Sequence, residues 1–345
     1  MDAVDNITSR KISNASVFAT MMVVGIHTLG HGWQLLDKGS AIWWLTAFGQ
    51  YGLFSIAVPF FFICSGYFLA GHMDITGWLC IELKKRIITL VIPYICWSII
   101  FLLLTICLGV VAGNDLSQCV SISFWVEGFG LNILRHPKLG PLWFVRSLMM
   151  FVVVSPVVLL LLRNRKLGVF ALMFIYFLAG IVHFVGGFSK PIELFFTYGF
   201  NLFGFLYFCL GIYGRIWHVK LPKHGHVVTL ALGLSLVLAG AVINIHGLRW
   251  KIPQSGLTVP LLLFAFWGGV PSWELPKYLT QTTFAIFLLH IPVFKVLGFI
   301  LPTKIESVFQ WIMKWGVGWT CSLILALGIG RSFPLVAKML FGGRV

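Results

Sequence analysis

The sequence predicts an all-α integral membrane protein with about ten transmembrane helices and both termini cytoplasmic. Three observations carry that reading. Only 10% of the 345 residues are charged and 59% are hydrophobic, whereas a soluble domain carries about 25% charged residues. Mean hydropathy is +0.95. The apolar residues gather in runs close to the roughly 20 residues that a spanning helix needs, and none alternates in the manner of a membrane barrel strand. The 14 tryptophans suit belts at the two membrane interfaces.

The first run, 13–31, follows a polar stretch with two acids and has no small-residue cleavage site after it, so a retained helix is expected. The second run is 50–71. The third, 87–112, lies directly behind the triplet Lys84-Lys85-Arg86. The longest connection, 113–141, contains Asp115, Glu127, His136 and Pro137 and is expected as an extracytoplasmic loop. Its amphiphilic stretch "SISFWVEGFGLNIL" suits an interfacial or re-entrant piece. Further spans are expected at 142–162, 168–187, 195–215 and 227–246. The run 256–271 is short and interrupted by Pro260; 280–300 and 312–334 complete the set. No internal repeat is visible, so residues 1–345 are read as a single membrane domain.

The charge of +15 comes from 25 Lys+Arg against 10 Asp+Glu. In a membrane protein such an excess follows the positive-inside rule, and no nucleic-acid partner is needed to explain it. Ten alternating spans place both "KKR" (84–86) and "RNRK" (163–166) on the side of the N-terminus, which makes that side cytoplasmic. The seven cysteines form no C-x-x-C pair, and neither a metal site nor a disulfide framework is expected. There is no P-loop, GxSxG or HExxH motif, and the near absence of acids inside spans argues against an ion-coupled pump.

Four places in this apolar chain hold chemistry. At about 100° per residue, Ser13, Ser16, Thr20, His27 and His31 fall on one stripe of the first helix. His27 is then expected in the outer half of the membrane. It serves either as an interhelical hydrogen bond or as a group that accepts and returns protons. Lys84, Lys85 and Arg86 anchor the topology, hold phosphates, or both. Arg146 sits one turn inside an apolar run, where a central charge costs about 2.5–3.5 kcal/mol; it either snorkels to headgroups or lines a cavity mouth. His183 and His290 occur late in their runs, and a structural hydrogen bond is the plainer role for each.

In order along the chain, these stretches resemble the acyltransferase 3 family of bacterial membrane acyltransferases. "ATMMVVGIH" (19–27) is similar to the first-helix stretch that ends in the family's catalytic histidine. "IAVPFFFICSGYFLAG" (56–71) resembles its second-helix signature, and "KKRIITLVIPYICW" (84–97) its cytoplasmic basic stretch. "PLWFVRSL" (141–148), "YFCLGIYGR" (207–215) and "AIFLLH" (285–290) resemble later signatures.

The resemblance implies a multi-pass protein of the inner (plasma) membrane. It implies a cytoplasmic acyl-CoA, typically acetyl-CoA, as co-substrate, with no bound cofactor and no metal. The acyl group would pass to a hydroxyl of an extracytoplasmic glycan or glycolipid, with His27 as general base. Lys84, Lys85, Arg86, Arg10 and Lys11 are then expected at the acyl-CoA. Ser16, Thr20, His31, Trp143, Arg146 and His290 are expected at the acceptor or along the cavity. Two positions depart from the family pattern. Ser16 stands where many members carry an arginine eleven residues before the histidine, and Thr89 stands where the basic stretch often reads R-x-x-R. A flippase or transporter of an amphiphilic glycan precursor is the competing reading. A catalytically inactive member that serves as a binding subunit is a third.

Overall fold

A computed structural model of the protein describes residues 5–29, 36–50, 52–71, 77–115, 117–182, 189–222, 224–245, 254–300, 305 and 307–345. Among these residues all regular structure is helical. The helices are α1 (Asn6–His27), α2 (Ala41–Gln50), α3 (Ala57–Ala70), α4 (Trp78–Arg86), α5 (Ile92–Val111), α6 (Ile122–Gly128), α7 (Leu142–Leu162) and α8 (Arg165–Gly180). They continue with α9 (Lys190–Leu194), α10 (Leu202–Ile216), α11 (His226–Ile245), α12 (Val259–Gly269), α13 (Lys277–Thr280), α14 (Thr283–Ile300), α15 (Val308–Ser332) and α16 (Pro334–Phe341). One wide π turn, Ile87–Val91, joins α4 to α5, and another, Phe195–Gly199, joins α9 to the start of α10.

Each of the ten apolar runs contains a helix, and α7 coincides with its run. Five stretches are long and apolar enough to cross a membrane: Ala41–Ala70, Cys80–Val111, Leu142–Leu162, His226–Ile243 and Val308–Ser332. The segments Lys190–Gly199 and Leu202–Ile216, bent by 41°, make a sixth if they count as one broken span. By length and composition alone, therefore, the described residues supply five or six spans rather than about ten. The difference has local causes. The helix in the first run starts early, because the Asp5 carboxylate accepts from the Thr8 amide 2.8 Å away and caps it at Asn6. Its first half is consequently polar. The apolar pieces Gly256–Gly269 and Thr283–Phe299 are short.

The end of the bundle where α1 begins is called here the N-terminal face. Asn14, buried on α1, donates to the carbonyls of Pro271 and Trp273 at 2.9 and 2.7 Å, so the chain beyond α12 lies at that face and α14 starts there. Both α1 and α14 then climb toward the far face. The Trp97 indole, early in α5, donates to the Leu340 carbonyl at 2.9 Å, which docks α16 at the N-terminal face. On the far side, Lys295 of α14 donates to Thr105 in the second half of α5 at 2.7 Å.

Packing between helices in lipid relies on close fit, because lipid tails are as apolar as the side chains they meet. The tightest contact is between α3 and α10. Any Cβ on Gly66 would run into the Phe208 carbonyl, and one on Gly211 into the Ile63 carbonyl. The backbones touch because both residues lack side chains. Around this seam Phe62 lies against Phe144 (ring centroids 4.6 Å) and Phe151 (5.2 Å), and Phe151 against Phe208 (5.6 Å). Phe144 reaches Phe287 of α14 at 5.5 Å, which joins this aromatic core to the helix that carries His290.

Candidate active site

His27 ends α1, and its imidazole lies 5.1 Å, centroid to centroid, from that of His290 on α14, with the rings tilted by 41°. The end of α1 is held in place by Thr28, a buried residue whose hydroxyl donates to the Val24 carbonyl at 3.0 Å. One turn lower, the Trp315 indole of α15 donates to the Met21 carbonyl at 2.8 Å. His290 is completely buried. Its Nδ1 lies 3.2 Å from the Ile286 carbonyl, an acceptor only, so we assign the proton to Nδ1. The lone pair is then on Nε2, which is buried without a hydrogen-bond partner. A buried acceptor with no donor is costly in a folded protein and marks a place where a ligand group completes the bonding. Phe287 and Phe294 stand beside the ring at 6.2 and 6.4 Å.

The polar stripe continues below His27. Ser16 donates to the Ile12 carbonyl and Thr20 to the Ser16 carbonyl, both at 2.8 Å, and Ser13 donates to Ser9 at 3.1 Å. These hydroxyls spend their protons on their own helix, which is the usual solution for Ser and Thr within helices. What the stripe offers a neighbour is oxygen lone pairs. Thr20 is fully buried and Ser16 half-buried. His31 and His183 lie outside the described residues.

The five cations expected at the donor fall into two stations. Arg10 lies 3.7 Å from Glu274, and Lys11 donates to the Trp267 carbonyl at 2.9 Å while lying over its ring. These two hold α1 to the chain around α12. The triplet sits elsewhere, at the end of α4. Lys84 is exposed. Lys85 and Arg86 share the buried carboxylate of Glu82 at 3.6 and 3.2 Å. The sequence reading overlooked Glu82; its i, i+3 and i, i+4 spacing to two cations was the available signal.

Arg146 is buried at 6% exposure, and both of its terminal nitrogens are engaged by backbone, while Nε has no partner. Nη1 donates to the Gly130 carbonyl at 2.6 Å and to Asn132 at 3.3 Å; Nη2 donates to Arg135 and Tyr198, each at 2.8 Å. One guanidinium thus ties the far-face loop and the Phe195–Gly199 turn to α7. Trp143, one turn before it, stands edge-on to His136 at 6.1 Å, and His136 packs on Tyr198 at 4.4 Å. Burial, and then the charge of Arg146, hold His136 below the ordinary histidine pKa, so it is neutral at pH 7. Arg146→Ala would orphan four carbonyls and is expected to cost about 4 kcal/mol or more, at about 1–3 kcal/mol for each unsatisfied group. The check is the thermal midpoint of purified protein in detergent; an unchanged midpoint would contradict the clamp.

Among the described residues no group of three His, Cys, Asp or Glu side chains is arranged to hold a metal ion. The fold and site together define a helical membrane protein in which a half-buried histidine on α1 faces a fully buried one on α14. The chain belongs to the acyltransferase 3 family: the family model described as an acyltransferase domain matches residues 15–331. A relative is the succinoglycan biosynthesis protein ExoH of Rhizobium meliloti (strain 1021), 27% identical over 256 residues. That match covers 70% of this chain but only 62% of the relative. No solved structure matches.

Proposed function

We propose that the protein transfers an acyl group, with acetyl the first to test, from cytoplasmic acyl-CoA to a hydroxyl of an extracytoplasmic glycan or glycolipid. The observation that carries this reading is the apposition of half-buried His27 and fully buried His290 in a chain of this family. The N-terminal face is then cytoplasmic and the membrane is the inner one, as the basic clusters favour. The relative's name refers to succinoglycan biosynthesis, which supports a polysaccharide or its precursor as acceptor.

In this mechanism the donor's phosphates stay at the N-terminal face and its extended arm places the thioester near the histidines. The acceptor hydroxyl lies against His27. As its oxygen forms a bond to the thioester carbon, His27 takes the hydroxyl proton. The carbon–sulfur bond then breaks, and the departing thiolate recovers that proton from the imidazolium. The balance is one ester and one thiol, with His27 neutral again. His290 offers Nε2 as an acceptor that orients the groups around His27. It is a positioning residue.

Transfer of label from acyl-CoA to an envelope polysaccharide extract by purified protein tests this function; no transfer at any acyl chain length would contradict it. His290→Phe keeps a planar aromatic ring and deletes both ring nitrogens, Nε2 among them. It is expected to lower kcat about tenfold, the worth of one hydrogen bond of about 1.4 kcal/mol, with little change in the KM for acyl-CoA. Unchanged kcat would remove His290 from the site.

A further inference from the structure

The residues after α16 turn back into the molecule. Gly342 and Gly343 both have left-handed backbone, with φ of 64° and 73°, a conformation that favours glycine. Gly342 lies directly on the π turn between α4 and α5, since a Cβ there would be 2.8 Å from the Cα of Thr89. The turn delivers Arg344 over the ring of Phe284, with its guanidinium carbon 4.1 Å from the centroid. Val345 continues onto Gly330 of α15. The docking is firm: Phe341 is fully buried beside Trp97.

Arg344 has no carboxylate and no hydrogen-bond partner among the described residues. A charge that acts on it is another guanidinium, that of Arg86. Burial, and then the like charge of Arg86, lower its pKa to about 10. The one acid here, Glu82, already serves both Arg86 and Lys85. The Thr89 hydroxyl, beneath the tail, is buried without a partner. Two half-buried arginines with an excess of positive charge and an unused hydroxyl beneath the tail are chemistry that suits an anion. The planar forks of arginine suit phosphate oxygens in particular.

We propose that Arg344 and Arg86, with Thr89, form a phosphate-binding site at the N-terminal face, and that it holds a phosphate of the acyl-CoA donor. The site rests on the donor reading given above. Its position suits a long donor: Phe284 precedes His290 by six residues on α14, a rise of about 9 Å, so one helix carries both the phosphate end and the histidine end. The phosphate of a lipid headgroup offers the same chemistry, and the experiment separates the two.

The full-length protein in nanodiscs of neutral phosphatidylcholine is titrated with CoA, and acyl-CoA kinetics are measured on the same samples. Arg344→Gln is expected to weaken CoA binding and raise the KM for acyl-CoA at least tenfold, with kcat within twofold. Arg344→Lys should fall between it and wild type. Inorganic pyrophosphate should compete with CoA in the wild type, which tests the site even if Arg344→Gln does not fold. Wild type that binds CoA with Arg344→Gln equally tight would overturn the arginine site while leaving the donor reading intact. Wild type that binds no CoA would overturn the donor reading and the site with it. Phosphatidylglycerol-dependent stabilisation that Arg344→Gln loses, with CoA binding unchanged, would assign the pair to lipid and overturn the proposal.

Discussion

His27→Ala is expected to lower acyl transfer at least about 100-fold while leaving the helical fold and acyl-CoA binding in place. The magnitude is that of a positioned general base, roughly 10²–10⁴ in rate. The fold should persist because His27 ends α1, while α1 itself is anchored by Asn14 and the Trp315 indole. Rate and binding are therefore expected to separate: kcat collapses and the KM for acyl-CoA moves little. His27→Ala with wild-type kcat would remove the proposed base. A loss confined to KM would make His27 a binding group.

The largest expected effect on stability lies away from the histidines, at the α3–α10 seam. Gly66→Ala and Gly211→Ala each force a methyl group into a backbone carbonyl of the facing helix. Overpacking of this kind costs about 1–3 kcal/mol, and more where the obstacle is backbone that cannot rotate away. Both substitutions push the same two helices apart, so the double variant should lose less than the sum. Gly214→Ala is the control: it lies on the same helix, and its added methyl would meet nothing within 4 Å. Thermal midpoints in detergent decide this. A midpoint of Gly66→Ala that matches Gly214→Ala would contradict the seam.

Much of the fold was legible because lipid imposes a simple rule on the sequence: apolar stretches near span length become helices. The run 142–162 became α7 with no adjustment. What composition could not show was where helices begin and break. The Asp5 cap extends α1 into polar sequence, and Phe200–Asn201 interrupts the run at 195–215. His27 stood out by helical counting and by resemblance. From its own surroundings His290 read as a structural histidine and only the resemblance put it at the cavity, because its apposition to His27 depends on how α1 and α14 pack, and no local pattern carries that. Arg10 and Lys11 looked like companions of Lys84–Arg86, yet they lie with Glu274 and Trp267. Arg344, which no motif in the sequence singles out, is the residue that the fold brings toward Arg86. It arrives beside Thr89, the position at which the basic stretch departs from its usual R-x-x-R.

The central claim is that one histidine site passes an acyl group from a donor on one side of the membrane to an acceptor on the other. Sealed, oriented proteoliposomes test it most directly, with labelled acyl-CoA confined to the side of the N-terminal face and the polysaccharide extract to the opposite side. The account predicts label on the opposite-side polysaccharide with wild type, and at least about 100-fold less with His27→Ala. Acceptor movement across the membrane without any acyl-CoA, or transfer that is indifferent to His27, would contradict it.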